Sequence, residues 1–343
     1  MRKLLLSTTA LMTAAALSSA AFADVSISGS MEFTYESIDP GASAVTGASN
    51  DLFSSDQDVH LKFSNKTDSG LDIAMVMSLQ VAADTAAATA ANTMVDESYM
   101  TISGGFGTLQ LGGNDGAGDQ LTRTAHDLLG PDALNDGGPT FQSSTGNLVD
   151  DNADLMLDID DGNNITYMLP KMGGLTIGAS YEDNGSGASA NADEQVFAAK
   201  YDFTSGAVKG SLHLGVNNIS GATAGAVSRD AQSMGIDISS GPFRAVMAKA
   251  EADSTTASVK TEVTDYGIQY NLGNGIVLTA VGTQVEENTG SETLDVTSVG
   301  AKYNIASGLD AYLTYHDYDY KAGDSGATSD DGSSTSMTIK ASF

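Results

Sequence analysis

The chain is predicted to be all-β, a sixteen-stranded antiparallel transmembrane barrel, on three observations. Apolar and polar residues alternate with period two through nearly the whole sequence. Short glycine turns are interleaved with long polar connections. The alternation also runs to the terminal carboxylate, where SMTIKASF sets Met337, Ile339, Ala341 and Phe343 against Ser336, Thr338, Lys340 and Ser342. Chain ends in soluble proteins are usually frayed and polar. A barrel must instead pair its last strand with its first, or leave a hydrogen-bonding edge in lipid.

At the other end, Arg2 and Lys3 precede an apolar stretch from Leu4 to Leu17, and small residues close on Ala21-Phe22-Ala23. These are the parts of a secretory signal peptide, so residues 1–23 are expected to be removed and 24–343 to form the barrel domain. The 44 acidic residues outweigh 15 basic ones for a net charge of −29, and no basic patch is interleaved with aromatics, which excludes nucleic-acid binding. With no cysteine, neither a disulfide framework nor a thiolate zinc site can form. After residue 23 no apolar run approaches the roughly 18 residues of a membrane helix. The richest stretch, LDIAMVMSLQV (71–81), is interrupted by Asp72, Ser78 and Gln80.

The strands are placed by alternation. In the first, Val25, Ile27, Met31, Phe33 and Tyr35 alternate with Ser26, Ser28, Ser30, Glu32 and Thr34. The full set is 24–36, 58–66, 69–81, 94–103, 105–113, 163–169, 174–182, 194–203, 206–217, 231–239, 241–250, 262–272, 275–285, 293–305, 308–318 and 335–343. Tight turns are marked by a Gly before an alternating run, as in SGLDIAMV (69–76), GGLTIGAS (173–180) and SGLDAYLT (307–314). Between them lie the polar segments 37–57, 82–93, 114–162, 183–193, 219–230, 251–261, 286–292 and 319–334. An even strand number, with short turns at one end and long loops at the other, is the layout of an outer-membrane barrel.

A soluble β-sandwich would also alternate, but with its apolar face buried. The polar face here includes Lys62, Lys200, Lys209, His213, Asp237, Arg244, Gln269, Asn271 and Lys340, which suits a hydrated lumen. The apolar face carries Tyr35, Phe63, Tyr181, Tyr201, Phe203, Tyr270, Tyr303 and Tyr315 near strand ends, as two aromatic girdles would.

Segment 114–162 is too long for a plain connection, and such loops are usually functional. Its opening, GGNDGAGDQLTRTAHDLLGPDALNDGG (112–138), reads as a short helix capped by Asp119, with Leu121, Ala125, Leu128 and Leu129 on one face and a stop at Gly130-Pro131. Those apolar positions need something to pack on, which places the loop inside the barrel rather than outside as a solvated flap. Asp115, Asp119, Asp127, Asp132 and Asp136 would then line a constriction opposite wall cations Lys62, Lys200, Lys209, Arg244 and Lys340, creating a transverse field.

Other chemistry is thinly supported. DIDDGNN (158–164) suggests a calcium loop, but Leu169 stands where an EF-hand needs a bidentate Glu, so Asp158, Asp160 and Asp161 could hold calcium only weakly, at about 10⁻⁴–10⁻³ M. His60, His126, His213 and His316 lie on separate elements without ligand spacing. No G-x-S-x-G or G-K-[ST] motif is present, so no enzyme and no cofactor are implied.

The turn KTDSGLDIA (66–74), the run SGGFGTLQLGGNDGAGDQL (103–121) into the acidic loop, and the terminal Phe343 together resemble the alphaproteobacterial general porins. The resemblance covers essentially all of 24–343. It implies a homotrimeric outer-membrane barrel in contact with lipid and lipopolysaccharide, passing small hydrophilic solutes and ions. It also implies a constricting third loop, calcium among loop carboxylates, and recognition of Phe343 by the barrel-assembly machinery. With acidic residues dominating the loop, weak cation selectivity is expected. The alternative is a solute-specific or adhesive barrel whose loops bind a ligand.

Overall fold

A computed structural model describes residues 24–39, 51–80, 95–131, 162–183, 192–221, 228–254, 259–288, 291–321, 323 and 329–343. Residues 1–23, which the sequence assigns to a signal peptide, lie outside them. Sixteen strands form one closed antiparallel ring. They are β1 (Asp24–Asp39), β2 (Asp51–Lys66), β3 (Asp72–Gln80), β4 (Ser98–Gly104), β5 (Gly107–Gly113), β6 (Asn163–Met168), β7 (Leu175–Glu182) and β8 (Ala192–Ser205), then β9 (Val208–Gly221), β10 (Arg229–Ser240), β11 (Phe243–Ser254), β12 (Val259–Gly273), β13 (Ile276–Glu287), β14 (Glu292–Ala306), β15 (Leu309–Lys321) and β16 (Asp330–Ser342).

Each strand pairs with its sequence neighbours, and the ring closes where β16 meets β1 from Ser30↔Ser342 to Asp39↔Ser333. The last residue takes part in closure. Phe343 N–H donates to the Gly29 carbonyl at 2.9 Å, and Gly29 N–H to the Phe343 carbonyl at 3.4 Å. Regularity to the final residue is therefore a requirement of the ring: a frayed end would leave a backbone edge unpaired.

The alternation resolves into an outer apolar surface and an inner surface that is polar except for a buried apolar cluster on β10–β15, with Ala250, Val263, Val285, Leu294 and Val296 among its members, and the seats of an internal segment. Val25, Ile27, Phe33, Leu212, Leu214, Met234, Ile268, Leu313 and Met337 are exposed on the outside. Outward aromatics border this band. Phe343 and Tyr303 lie near the turn end, Tyr181 and Tyr315 near the loop end, and Phe33, Tyr35 and Phe53 form a group whose rings are 5.1 to 5.7 Å apart. Along β16 the band runs from Phe343 to the Thr335 that pairs with Tyr315, about 27 Å of strand or roughly 20 Å of height at the usual tilt. That is close to the apolar height of an outer membrane.

The tight turns fall where glycine marked them. Gly308, for example, has φ +72, and a Cβ there would lie 2.6 Å from the Ser342 carbonyl, so no larger residue fits. Strand ends differ from expectation both ways: β3 and β4 start later, at Asp72 and Ser98 rather than 69 and 94, while others are longer. The second strand begins at Asp51 rather than 58 and the last at Asp330 rather than 335, while β9, β11 and β15 overrun their expected ends to Gly221, Ser254 and Lys321. These extensions hold scattered apolar residues such as Phe53, Ile219 and Tyr320 but no sustained alternation. Hydropathy loses its period there although backbone pairing continues.

Candidate functional site: the segment inside the barrel

The lumen of a sixteen-stranded ring is too wide for wall side chains to fill. The segment after β5 enters it, as its apolar residues require. It starts with α1 (Ala117–Leu121), breaks at Thr122–Thr124, and continues as a 3-10 turn at His126–Leu128. One helix with Asp119 as cap was expected; the cap position is Gly116 and Asp119 lies in the first turn. The break has a local cause: Thr122 Oγ1 donates to the Gly118 carbonyl at 2.9 Å, closing α1 on its own side chain. Leu121 and Leu128 consequently face different walls instead of sharing a helix face.

Each piece has its own seat. α1 packs on the inner face of β6–β9, where Ala117 and Leu121 cluster with Ala198 and Met168. The seat is hollowed at Gly178, where a Cβ would come within 2.9 Å of Ala117 Cβ. Ala117 N–H donates to Ser180 Oγ at 2.6 Å. The second piece crosses to β11–β13, and Ala125, Leu128 and Leu129 cluster with Val246 and Val281. Gly267 leaves room, since a Cβ there would lie 3.0 Å from Leu128 and 3.1 Å from Ala125. The Leu128 carbonyl accepts from Gln269 Nε2 and Thr279 Oγ1, both at 3.1 Å, and Gly130 lies against the Tyr312 ring.

The seats went unread in the sequence, though a signal existed. Inward positions that should be polar are Gly178, Ala198, Val246, Gly267 and Val281. Small or apolar residues on a wet face mark where something else packs. Asp265 was also missed. It is fully buried on β12 and accepts Ala125 N–H at 2.5 Å and Ala248 N–H at 3.1 Å.

The segment keeps one edge toward water. Asp115, Asp119, Arg123 and Asp127 recur every four residues and are partly or wholly exposed, while Leu121, Ala125, Leu128 and Leu129 are buried. Asp127 also serves the backbone, its Oδ2 accepting Thr124 N–H at 3.1 Å. Crowding by loop and wall pushes its carboxyl above the usual aspartate range, against the opposing pull of that hydrogen bond and of Arg123 and Arg244. Burial holds His126 well below the ordinary histidine range, assisted by nearby His316, so this imidazole is neutral.

Lys62, Lys200, Lys209, Arg244 and Lys340 all occupy inward-facing positions. Three of these cations have wall partners. Arg244 binds Asp237 through Nε at 3.1 Å and Nη2 at 2.7 Å. Lys200 is 3.7 Å from Asp202, and Lys340 pairs with Glu32. Arg244 also lies close enough to Asp127 to pull on its carboxyl. Across the lumen β1 and β2 add inward Glu32, Asp56 and Asp58, with Asp96 near Asp58. Asp132, Asp136, Asp158, Asp160 and Asp161 lie outside the described residues. Among the described residues no three His, Asp or Glu side chains are grouped to hold a metal ion.

With the ring, its two surfaces and the internal segment in place, comparison with known proteins is direct. The sequence model of the Gram-negative porin family matches residues 7–323. The chain belongs to that family. Solved porins share its fold: an anion-selective porin from Comamonas acidovorans (15% identity, TM-score 0.65, 94% of this chain and 100% of the other), a Rhodopseudomonas blastica porin triple mutant (17%, 0.64, 93% and 100%), and OmpT of Vibrio cholerae in its trimer form (12%, 0.65, 94% and 99%). No curated protein matches the sequence. The protein is an outer-membrane diffusion porin of a Gram-negative cell, and its family is non-enzymatic.

In this porin the seats supply a test of the segment's place. Gly178→Val should push α1 off the wall toward the water path and change single-channel conductance by roughly tens of per cent, with the barrel still resisting heat in detergent. Unchanged conductance would mean that α1 does not border the current.

Proposed function

We propose that the porin is a general diffusion pore for small hydrophilic solutes with a weak preference for cations, the segment 114–131 narrowing its lumen. One observation carries this reading: the water-facing edge of the segment bears three carboxylates, Asp115, Asp119 and Asp127, to one guanidinium, Arg123, while Arg244 and Lys340 are each matched by a wall carboxylate. Inward Asp56 and Asp58 add to the same sign. A local excess of negative charge in a narrow aqueous path raises cation concentration there. The Comamonas acidovorans neighbour is anion-selective, but at 15% identity the likeness concerns fold alone, so selectivity is argued from this chain's own charges.

We also propose a homotrimer, by analogy with the trimer form of the Vibrio cholerae structure. In planar bilayers the protein should give ohmic steps grouped in threes, and reversal potentials in a salt gradient should show mild cation preference. Converting Asp115, Asp119 and Asp127 together to Asn should lower the cation-to-anion permeability ratio by about twofold. Because the Asp127 carboxyl sits above the ordinary value of about 3.9, it gains its proton earlier as pH falls. Cation preference should therefore begin to decline at a higher pH in the wild type than in Asp127→Asn. Anion preference at neutral pH would contradict the reading.

Phe343, 85% exposed at the closing seam, is proposed as the residue read by the assembly machinery. Removing it should reduce folded porin in cells while leaving refolding into detergent intact; equal loss in both settings would assign it to closure alone.

A further inference from the structure

The 3-10 turn that seats Leu128 lacks a cap of its own. Its N-cap position is Ala125, which makes no side-chain capping bond, yet the first N–H groups of any helical turn have no partner within it. Thr124 N–H is accepted by Asp127 within the segment. The next two are served from outside. Ala125 N–H donates to Asp265 Oδ2 at 2.5 Å, and His126 N–H is directed at the same carboxylate. Asp265 Oδ1 meanwhile accepts Ala248 N–H from β11 at 3.1 Å, tying the turn to the wall through one side chain.

The surroundings make this placement unusual. On the inner face of β12, Asp265 stands between Val263 and Gly267; Ala248 and Thr283 flank it on the neighbouring strands, and Val246 and Val281 lie beside Gly267. A carboxylate is a poor occupant of an apolar seat unless donors converge on it. Here three backbone N–H groups converge, and two of them belong to the segment. Apolar contact alone could hold Leu128 and Leu129 at several offsets along the wall, whereas directed hydrogen bonds select one.

We infer that Asp265 is a positioning residue of the pore: a helix cap supplied by the wall that fixes where the third loop lies, and through it the width and steadiness of the aperture. This rests on the proposed narrowing role of segment 114–131. Asp265 touches neither the water path nor the solute. Its effect passes through Ala125 and His126.

The test uses Asp265→Ala, Asp265→Asn and the double variant Asp265→Ala/Ala125→Ser, purified as assembled porin whose heat resistance in detergent guards against misfolding. Backbone hydrogen exchange over residues 124–129 should speed up by about ten- to a hundredfold in Asp265→Ala and by less in Asp265→Asn, which retains one acceptor oxygen. Open-channel current noise and sub-conductance steps should rise in the same order. Ala125→Ser, which gives the turn a cap in cis within the space vacated at 265, should return exchange and noise toward wild type; a role in barrel stability alone predicts no such rescue. Unchanged exchange in Asp265→Ala overturns the inference. Faster exchange with unchanged currents upholds the cap but overturns its hold on the aperture, and it leaves the charge-based selectivity reading to its own test.

Discussion

Every backbone N–H and C=O inside a water-free layer has to find its partner within the protein, and that constraint shapes the rest of this molecule. The chain has no helix among its described residues long and apolar enough to cross a membrane, so the constraint falls on strands. Strands meet it only as a closed ring. Closure explains why β16 stays regular to Phe343, why that residue exchanges hydrogen bonds with Gly29, and why turns at one end are trimmed to the glycines that reverse the chain tightly. It also fixes the sidedness: once the ring is closed, each strand has an outward and an inward row, and alternation becomes compulsory.

Closing sixteen strands creates a second problem, an interior too wide for wall residues to occupy. Part of that space is taken by residues 114–131, and the energetics invert locally. Under α1 and the 3-10 turn the wall becomes an apolar core of Ala198, Val246 and Val281 with hollows at Gly178 and Gly267. Fully burying a Leu or Val side chain contributes roughly 1.5–3 kcal/mol, which is ample to hold a short, weakly helical segment that would not persist alone. The polar anchors at Ser180, Gln269, Thr279 and Asp265 then set its register.

The ring was legible because alternation is a property of each strand by itself. Strand ends were not, since Asp51–Gln57 and Asp330–Ser334 carry no sustained alternation and only their pairing partners reveal them. Within the internal segment, packing residues such as Leu128 were legible but the break at Thr122 was not, because it depends on one hydroxyl choosing a carbonyl four residues back. Ion pairing shows the same division. The contact of Lys200 with Asp202 lies two residues apart on one strand, and that of Arg244 with Asp237 follows from the tight turn at 241–242. The pair Lys340–Glu32 requires the seam between the two ends of the chain, about 300 residues apart. Asp265 is the extreme case, since its role exists only once the segment lies over it.

The most direct measurement of the central claim is cysteine scanning along β16 in lipid vesicles, which the absence of native cysteine makes clean. Thiols at the inward, partly or wholly exposed positions Lys340 and Ser342 should react with a water-soluble reagent entering through the lumen. Fluorophores attached at Met337, Ile339 and Ala341 should instead be quenched by brominated acyl chains, with the two responses alternating residue by residue. Reactivity without alternation, or acyl-chain quenching at the inward positions, would contradict a closed ring with water inside and lipid outside.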